Sequence, residues 1–86
     1  MKIGIAGSFD SCDALITVIE NDKLEIEIES IVENQFKDEI EKVIRTTLQA
    51  LDLNKVKVIC KDKGALNYTI RARLLSAIAR MSDDNA

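Results

Sequence analysis

The sequence predicts an α+β fold: a two-layer sandwich in β-β-α-β-α order, with two helices on one face of a small sheet. Residues 23–29 alternate between apolar and acidic side chains, and residues 55–61 alternate between valine or cysteine and mostly lysine, as in half-buried strands. Apolar residues recur at helical spacing up to about residue 52 and again from Leu66 to Met81. Strands and helices segregated in this way pack as two layers around one core.

The chain has 86 residues, which predicts one small domain. We assign residues 1–13 to a flexible arm, residues 14–82 to a single α/β domain and residues 83–86 to a frayed tail.

The first predicted strand, residues 14–20, is apolar on both faces. Leu15 and Ile19 share one face, and Ile16 and Val18 share the other. Either the strand is buried on both sides, or its outer face meets the N-terminal arm or another protein.

Asn21-Asp22 predicts a hairpin turn between this strand and the strand at 23–29, because both residues tolerate positive φ. The glutamates of 23–29 and the lysines of 55–61 point outward and could pair across the sheet, which predicts that these two strands are neighbours. We expect the crossover between them to be right-handed.

The first helix has two candidate starts. Ser30 as N-cap with Glu33 forms a capping box, and Asn34 is the alternative. Asn54 can close the helix. Its apolar stripe consists of Phe36, Ile40, Val43, Ile44, Leu48 and Leu51.

The segment Asp62-Lys63-Gly64 predicts the turn into the second helix. Gly64 supplies backbone freedom and Asp62 favours the helix N-terminus. Arg80 lies in the last turn, where it suits the helix dipole. The apolar stripe consists of Leu66, Ile70, Leu74, Ala77, Ile78 and Met81.

Composition excludes several functions. A net charge of −3 and only three aromatic residues argue against nucleic-acid binding. Two cysteines, Cys12 and Cys60, cannot build a disulfide framework, and without histidine a common zinc site is excluded. Because no run is long enough for a membrane span, we expect a cytoplasmic protein with reduced thiols and no membrane partner.

Ser11, between Asp10 and Asp13, is the candidate site residue. With no histidine in the chain it lacks the usual base, so we interpret it as an attachment point rather than a catalytic nucleophile. The simpler alternative is a loop serine that helps a turn. Ser8 is a competing hydroxyl that we rank lower because it lacks flanking acids, and we interpret Cys12 as incidental.

Segments spread over nearly the whole chain carry a family resemblance. They are Gly7 to Val18, Val32 to Phe36 with Asp38, Asp62 to Leu66, Ile70 to Leu74, and Ala79-Arg80. In order and spacing these segments resemble the citrate lyase acyl carrier family, also called gamma chains.

The resemblance implies a non-catalytic carrier subunit modified at Ser11, which matches the family's attachment serine. The implied group is phosphoribosyl-dephospho-coenzyme A in phosphodiester linkage, delivered by a prosthetic-group transferase from 2'-(5''-triphosphoribosyl)-3'-dephospho-coenzyme A. The implied partners are an alpha (transferase) and a beta (lyase) subunit, between which acetyl and citryl thioesters travel as citrate is cleaved to oxaloacetate and acetate. Asp10 stands where Glu is usual, and Cys12 where Gly or Ser is common.

Two alternatives stay open: the acyl carrier of malonate decarboxylase, which uses the same type of group, and an unmodified interaction module. Candidate docking residues for partners are Asp62, Arg71, Arg73, Arg80, Leu15 and Ile19. Arg73 and Arg80, seven residues apart, share a helix face and could meet phosphates of the arm or acids of a partner.

Overall fold

A computed structural model describes residues 2–31 and 34–82, which form one four-stranded sheet and two helices. The elements in chain order are β1 (Ile3–Gly7), β2 (Ala14–Glu20), β3 (Glu25–Ser30), α1 (Asn34–Ala50), β4 (Val56–Asp62) and α2 (Asn67–Ser82). The strand order is β1-β2-β4-β3, with β3 parallel to β4 and the other two pairings antiparallel. The predicted α+β sandwich is confirmed: α2 covers β1 and β2, and α1 packs against α2 and β3.

The N-terminal segment is not the predicted arm over residues 3–7, because it forms the edge strand β1. Gly4 and Ala6 face the core and are buried, whereas Ile3 and Ile5 face outward and are each 48% exposed. The small inward residues allow α2 to lie close to the sheet. The observed order therefore has one more strand than predicted: β-β-β-α-β-α.

The predicted hairpin at Asn21-Asp22 is wrong. β2 and β3 do not pair, because β4 lies between them. The Asn21 N–H donates to the carbonyl of Lys55, at 3.1 Å, and its side-chain amide donates to the carbonyl of Lys23, at 2.9 Å. Asn21 thus stabilises the turn away from β2.

The predicted neighbours β3 and β4 do pair, and their outward charges alternate in sign across the sheet. Glu25 is opposite Lys57 and Glu29 is opposite Lys61. The Lys57 ammonium also lies 3.2 Å from a carboxylate oxygen of Glu27. The charge pattern therefore correctly indicated which strands are adjacent.

Within the described residues helix α1 begins at Asn34, the alternative start, and Ser30 is the last residue of β3. The Ser30 hydroxyl donates to a carboxylate oxygen of Asp62, at 2.8 Å. Glu33, the other half of the predicted capping box, lies outside the described residues.

Asp52, rather than Asn54, closes α1. Its φ is +53°, and the N–H groups of Asp52 and Leu53 donate to the carbonyls of Gln49 and Leu48, both at 3.0 Å. This is the Schellman arrangement, in which a left-handed residue lets the chain return to the last helical carbonyls.

The helix stripes supply much of the core, but their ends do not. Phe36 and Leu51 of the first stripe and Leu66 of the second are 47%, 48% and 60% exposed, contrary to prediction, because they lie beside or beyond the helix ends rather than over the sheet. Neither described helix is long and apolar enough to cross a membrane. The buried stripe residues are Ile40, Ile44, Leu48, Ile70, Leu74, Ala77 and Met81.

Leu48→Ala should lower the free energy of unfolding by about 2–5 kcal/mol, because Leu48 is 1% exposed and the truncation leaves a cavity in a packed core. Urea unfolding followed by circular dichroism measures this loss. Leu51→Ala is the matched control, since the same truncation at an exposed side chain should cost far less. Equal losses in the two variants would contradict the assignment of Leu48 to the core.

Candidate modification site at the β1–β2 loop

Ser11 lies at the tip of the loop that joins β1 to β2. Ser11 and Cys12 are the central residues of a turn closed by the Asp13 N–H, which donates to the carbonyl of Asp10 at 3.1 Å. Cys12 has a φ of +63°, as the third residue of a type II turn requires. Glycine adopts this conformation without strain, so the backbone explains why glycine suits this position.

Backbone hydrogen bonds tie this turn to the segment after β4. The Cys12 N–H donates to the carbonyl of Lys63 at 2.8 Å, and the Lys63 N–H donates to the carbonyl of Asp13 at 2.9 Å. The Ser11 turn is therefore the connection of a β1–β2 hairpin, fixed by hydrogen bonds to Lys63, and not the end of a flexible arm.

The Asp13 carboxylate accepts four hydrogen bonds. The Arg73 guanidinium binds both of its oxygens, each at 2.9 Å, from a position 60 residues away on α2. The Ser8 hydroxyl donates to one oxygen and the Ala14 N–H to the other, each at 2.7 Å. Asp13 therefore joins the end of β1, the start of β2 and the middle of α2.

These contacts hold the pKa of Asp13 well below its usual range. The hydrogen bond from Arg73 has the largest effect, followed by those from Ser8 and the Ala14 N–H. The same ion pair raises the pKa of Arg73. Because the carboxyl pKa is lowered by folding, its contribution to stability is full above the unfolded pKa and is lost as the pH falls through the folded pKa. The contact is therefore intact at neutral pH.

The two candidate hydroxyls differ in their surroundings. The Ser8 hydroxyl donates to Asp13 and accepts from the Asp10 N–H, at 3.2 Å, so it belongs to the loop's own framework. Ser11 is exposed, and no hydrogen bond of its hydroxyl is found within residues 2–31 and 34–82. A phosphodiester-linked group needs a hydroxyl that projects into solvent, and Ser11 fits this requirement.

Ser11 does not line the larger cavities of the domain. Two open grooves of about 650 and 680 Å³ lie along α1 and the start of α2, and both are lined by Glu39, Asn67 and Tyr68. Neither is lined by Ser11. Ser11 is therefore an exposed residue that lies outside both grooves.

Two further residues beside the turn were not singled out from sequence. The Phe9 ring is 56% exposed, and the Lys61 ammonium lies 5.9 Å from its centroid. The alternation of β4 placed Lys61 on the outer face, but only the folded loop brings Phe9 to it.

The structure corrects the docking prediction for Asp62. This residue is 3% exposed, so its carboxylate is not on a surface that a partner can touch. One oxygen accepts the Ser30 hydroxyl and the other accepts the Ala65 N–H at 2.9 Å, which caps the entry to α2. Gly64, with a φ of +91°, makes the turn between Asp62 and Ala65, as predicted.

The three arginines of α2 have different surroundings. Arg71 is exposed, Arg73 binds Asp13, and Arg80 donates to the carbonyl of Ile5 on the edge strand at 2.6 Å. Two of the three therefore connect α2 to the β1–β2 hairpin. Their role in docking stays a prediction.

Leu15 and Ile19 lie half-buried on the side of the sheet opposite the helices. Residues 2–7 do not cover them, because β1 pairs edge to edge with β2 and adds Ile3 and Ile5 to the same surface. Ile59 of β4, opposite Thr17, continues it. We call the surface formed by Ile3, Ile5, Leu15, Ile19 and Ile59 the outer apolar face.

The two cysteines should differ in reactivity. Burial, with a smaller effect of the nearby Asp62 charge, raises the pKa of the Cys60 thiol to about 12, whereas Cys12 is exposed. Because the thiolate is the reactive form, one thiol should react rapidly with a disulfide reagent in the native protein and both in denaturant. Rapid reaction of native Cys12→Ser would contradict this assignment.

Comparisons with known proteins identify relatives over most of the chain. A family model described as "ACP: Malonate decarboxylase delta subunit (MdcD)" matches residues 1–81. A citrate lyase acyl carrier protein of Streptococcus uberis is 46% identical over 81 residues, covering 93% of this chain and 80% of the relative. Those of Haemophilus influenzae (strain PittEE) and Pectobacterium carotovorum are 39% and 43% identical, covering 96% of this chain and 87% and 88% of the relatives.

The fold also resembles a solved structure. A chain in a crystal structure of a Pseudomonas malonate decarboxylase hetero-tetramer in complex with malonate superposes with a TM-score of 0.80. The match covers 93% of this chain and 84% of that chain, at 15% sequence identity. At this identity the likeness supports the fold.

Proposed function

We propose, on the premise that this chain belongs to the family of citrate lyase acyl carrier proteins and malonate decarboxylase delta subunits, that it is an acyl carrier with its prosthetic group attached at Ser11. The observation that carries the attachment site is the exposed Ser11 hydroxyl on a turn held by Asp13 and Lys63. The competing Ser8 hydroxyl is engaged within the loop.

The proposed group is phosphoribosyl-dephospho-coenzyme A, which when bound supplies a terminal thiol that carries acetyl and citryl groups as thioesters. The chain's own residues provide the rest of what a carrier needs. The packed sheet and helices form a stable body, and the hairpin places Ser11 at its tip. Tethering raises the effective concentration of the carried group at each partner active site.

We assign the carrier to citrate lyase, with its alpha (transferase) and beta (lyase) subunits and a prosthetic-group transferase as partners. The family model that matches the chain is described by the malonate decarboxylase delta subunit. Identities of 39–46% to citrate lyase acyl carriers, against 15% to the malonate decarboxylase chain of known structure, nevertheless favour citrate lyase. Co-purification with each set of subunits discriminates the two. The proposed role is non-catalytic and cytoplasmic.

Ser11→Ala should abolish attachment. After co-expression with the prosthetic-group biosynthesis and transferase genes, intact mass spectrometry should show the wild-type chain with the added mass of the group and Ser11→Ala without it. Citrate cleavage by the reconstituted complex should fall to background, while the circular dichroism spectrum stays unchanged because Ser11 is exposed.

Ser76→Ala, at an exposed serine on α2, is the matched control and should gain the full mass. Modification that persists in Ser11→Ala but is lost in Ser8→Ala would refute the assignment. A wild-type chain that never gains mass beside an active transferase would favour the unmodified interaction module.

A further inference from the structure

The turn that carries Ser11 depends on Asp13 for its position relative to the body of the domain. The Asp13 carbonyl accepts the Lys63 N–H, and its carboxylate binds Arg73 on α2 and the Ser8 hydroxyl. Without the carboxylate, the hairpin tip loses its link to α2 and one of its links to the end of β1.

The Asp13–Arg73 ion pair adds little to the free energy of unfolding but fixes the orientation of the turn relative to α2. The Arg73 and Asp13 side chains are 41% and 14% exposed, and ion pairs near the surface contribute little to stability. Two parallel hydrogen bonds from one guanidinium, however, constrain both distance and orientation. The geometry therefore favours a role in placing the turn.

We propose that Asp13 and Arg73 are positioning residues for the transfer of the prosthetic group to Ser11: their ion pair holds the turn in the conformation that the transferase binds. This rests on the proposed function, because it takes Ser11 as the acceptor. Neither residue contacts the reacting hydroxyl. In the transfer, the Ser11 oxygen bonds to the phosphorus next to the ribose of the triphosphoribosyl precursor, pyrophosphate leaves, and the hydroxyl proton passes to solvent or to a base of the transferase.

The consequence for kinetics is specific. If the transferase binds only the held turn, loosening it reduces the competent fraction of carrier, and the apparent KM rises by the reciprocal of that fraction. Once bound in the correct conformation, the variant reacts as the wild type does. A turn that is correctly placed one tenth of the time gives a KM roughly tenfold higher with kcat unchanged.

The test measures transfer to the purified, unmodified full chain by the purified transferase, using the triphosphoribosyl precursor and intact mass spectrometry. Asp13→Asn and Arg73→Gln should each raise KM about tenfold and leave kcat within about twofold. The double variant should lose no more than either single one, because both remove the same contact. Arg73→Lys should recover part of the loss, since an ammonium keeps the charge but not the paired hydrogen bonds.

Two controls separate positioning from general damage. Arg45→Gln, at an exposed arginine on α1 that is not among the candidate docking residues, should transfer normally. All variants are compared well below their melting temperatures, and hydrogen exchange at the Cys12 amide should be faster in Asp13→Asn and Arg73→Gln than in the wild type.

Unchanged kcat/KM in folded Asp13→Asn and Arg73→Gln would overturn this inference while leaving attachment at Ser11 intact. So would additive losses in the double variant, which would mean that each residue contacts the transferase separately. A loss confined to kcat would also overturn it, because it would place these groups at the reacting atoms. Transfer to Ser11→Ala at the wild-type rate would overturn the proposed function, and this inference with it.

Discussion

Gly4→Val is expected to leave the domain largely unfolded at room temperature. Helix α2 passes so close to β1 that a Cβ on Gly4 would lie 1.8 Å from the carbonyl oxygen of Ala77 and 2.6 Å from the amide nitrogen of Met81. Both obstacles are backbone atoms of the helix, so no side chain can rotate to make room. Overpacking commonly costs about 1–3 kcal/mol and occasionally more, and this contact requires α2 to move off the sheet.

Urea unfolding of Gly4→Ala against the wild type measures the loss, and the circular dichroism spectrum of Gly4→Val without urea shows whether that variant folds. We expect a loss of about 3 kcal/mol or more for alanine and a larger one for valine, a substantial part of the roughly 5–15 kcal/mol that stabilises a domain. Gly64→Ala is the matched control: its added Cβ meets nothing within 4 Å, although a φ of +91° makes the backbone strained. We expect it to cost only about 1–2 kcal/mol. If Gly4→Ala costs no more than Gly64→Ala, α2 does not lie against β1 as described.

The same close approach explains why sequence reasoning missed β1. A strand is usually recognised by large apolar residues on its core face, whereas here Gly4 and Ala6 face the core and Ile3 and Ile5 face outward. The need for small residues comes from α2, whose Ala77 lies against Gly4 from more than seventy residues away. A pattern of neighbouring residues in the sequence cannot show how close α2 comes to β1.

Elements set by local chemistry were predicted well, and those set by distant partners were not. The alternation of β3 and β4, their pairing and the Gly64 turn follow from neighbouring residues and charges. The Asn21-Asp22 segment is compatible with a hairpin, but β4 occupies the place beside β2 that the hairpin would need. The Ser30 hydroxyl likewise donates to Asp62, 32 residues away, a contact that no local pattern indicates.

The candidate site divides in the same way. Ser11 could be proposed from its flanking acids, its lack of a histidine base and the family resemblance. The ion pair that orients its loop could not be predicted from the sequence, because Asp13 and Arg73 meet only when β1, β2 and α2 have assembled. Sequence placed Arg73 on a helix face together with Arg80, but nothing in the sequence indicated that both would bind the β1–β2 hairpin.

Ile5→Lys and Leu15→Lys are expected to abolish stable assembly with the larger subunits while the isolated domain still folds. The outer apolar face lies on the side of the sheet that neither helix covers, and Ile3 and Ile5 are each 48% exposed. An apolar patch of this kind on a small domain indicates a protein interface. The other half of the same sheet face carries paired glutamates and lysines on β3 and β4, so the patch has a polar border, as interface cores do.

We propose that the occupant of this face is a larger subunit of the carrier's own complex. In the proposed function the carrier is held in a complex, which would bury apolar surface, and its Ser11 loop would have to stay accessible to more than one active site. Ser11 lies at one end of β2 and the outer apolar face extends along the strand, so one surface can be buried while the other is presented.

Co-purification of an affinity-tagged larger subunit with each carrier variant measures assembly. A lysine introduced into a buried apolar contact should cost about 2 kcal/mol or more, which weakens binding roughly thirtyfold. Ile19→Lys should act in the same direction. Leu75→Lys, at an exposed leucine on α2, is the matched control and should assemble normally. Melting temperatures of the isolated variants should stay close to that of the wild type, most clearly for Ile5→Lys because its side chain is already half in water.

Two results would locate the docking surface elsewhere. If Ile5→Lys and Leu15→Lys unfold the isolated domain and the folded remainder still assembles, these side chains stabilise the sheet itself. If both variants fold and assemble as the wild type does, the subunit instead contacts the helix layer, where Arg71 is exposed and Arg71→Glu should then disrupt binding. Because the sheet face and the helix layer are on opposite sides of the domain, no single orientation of the carrier satisfies both outcomes.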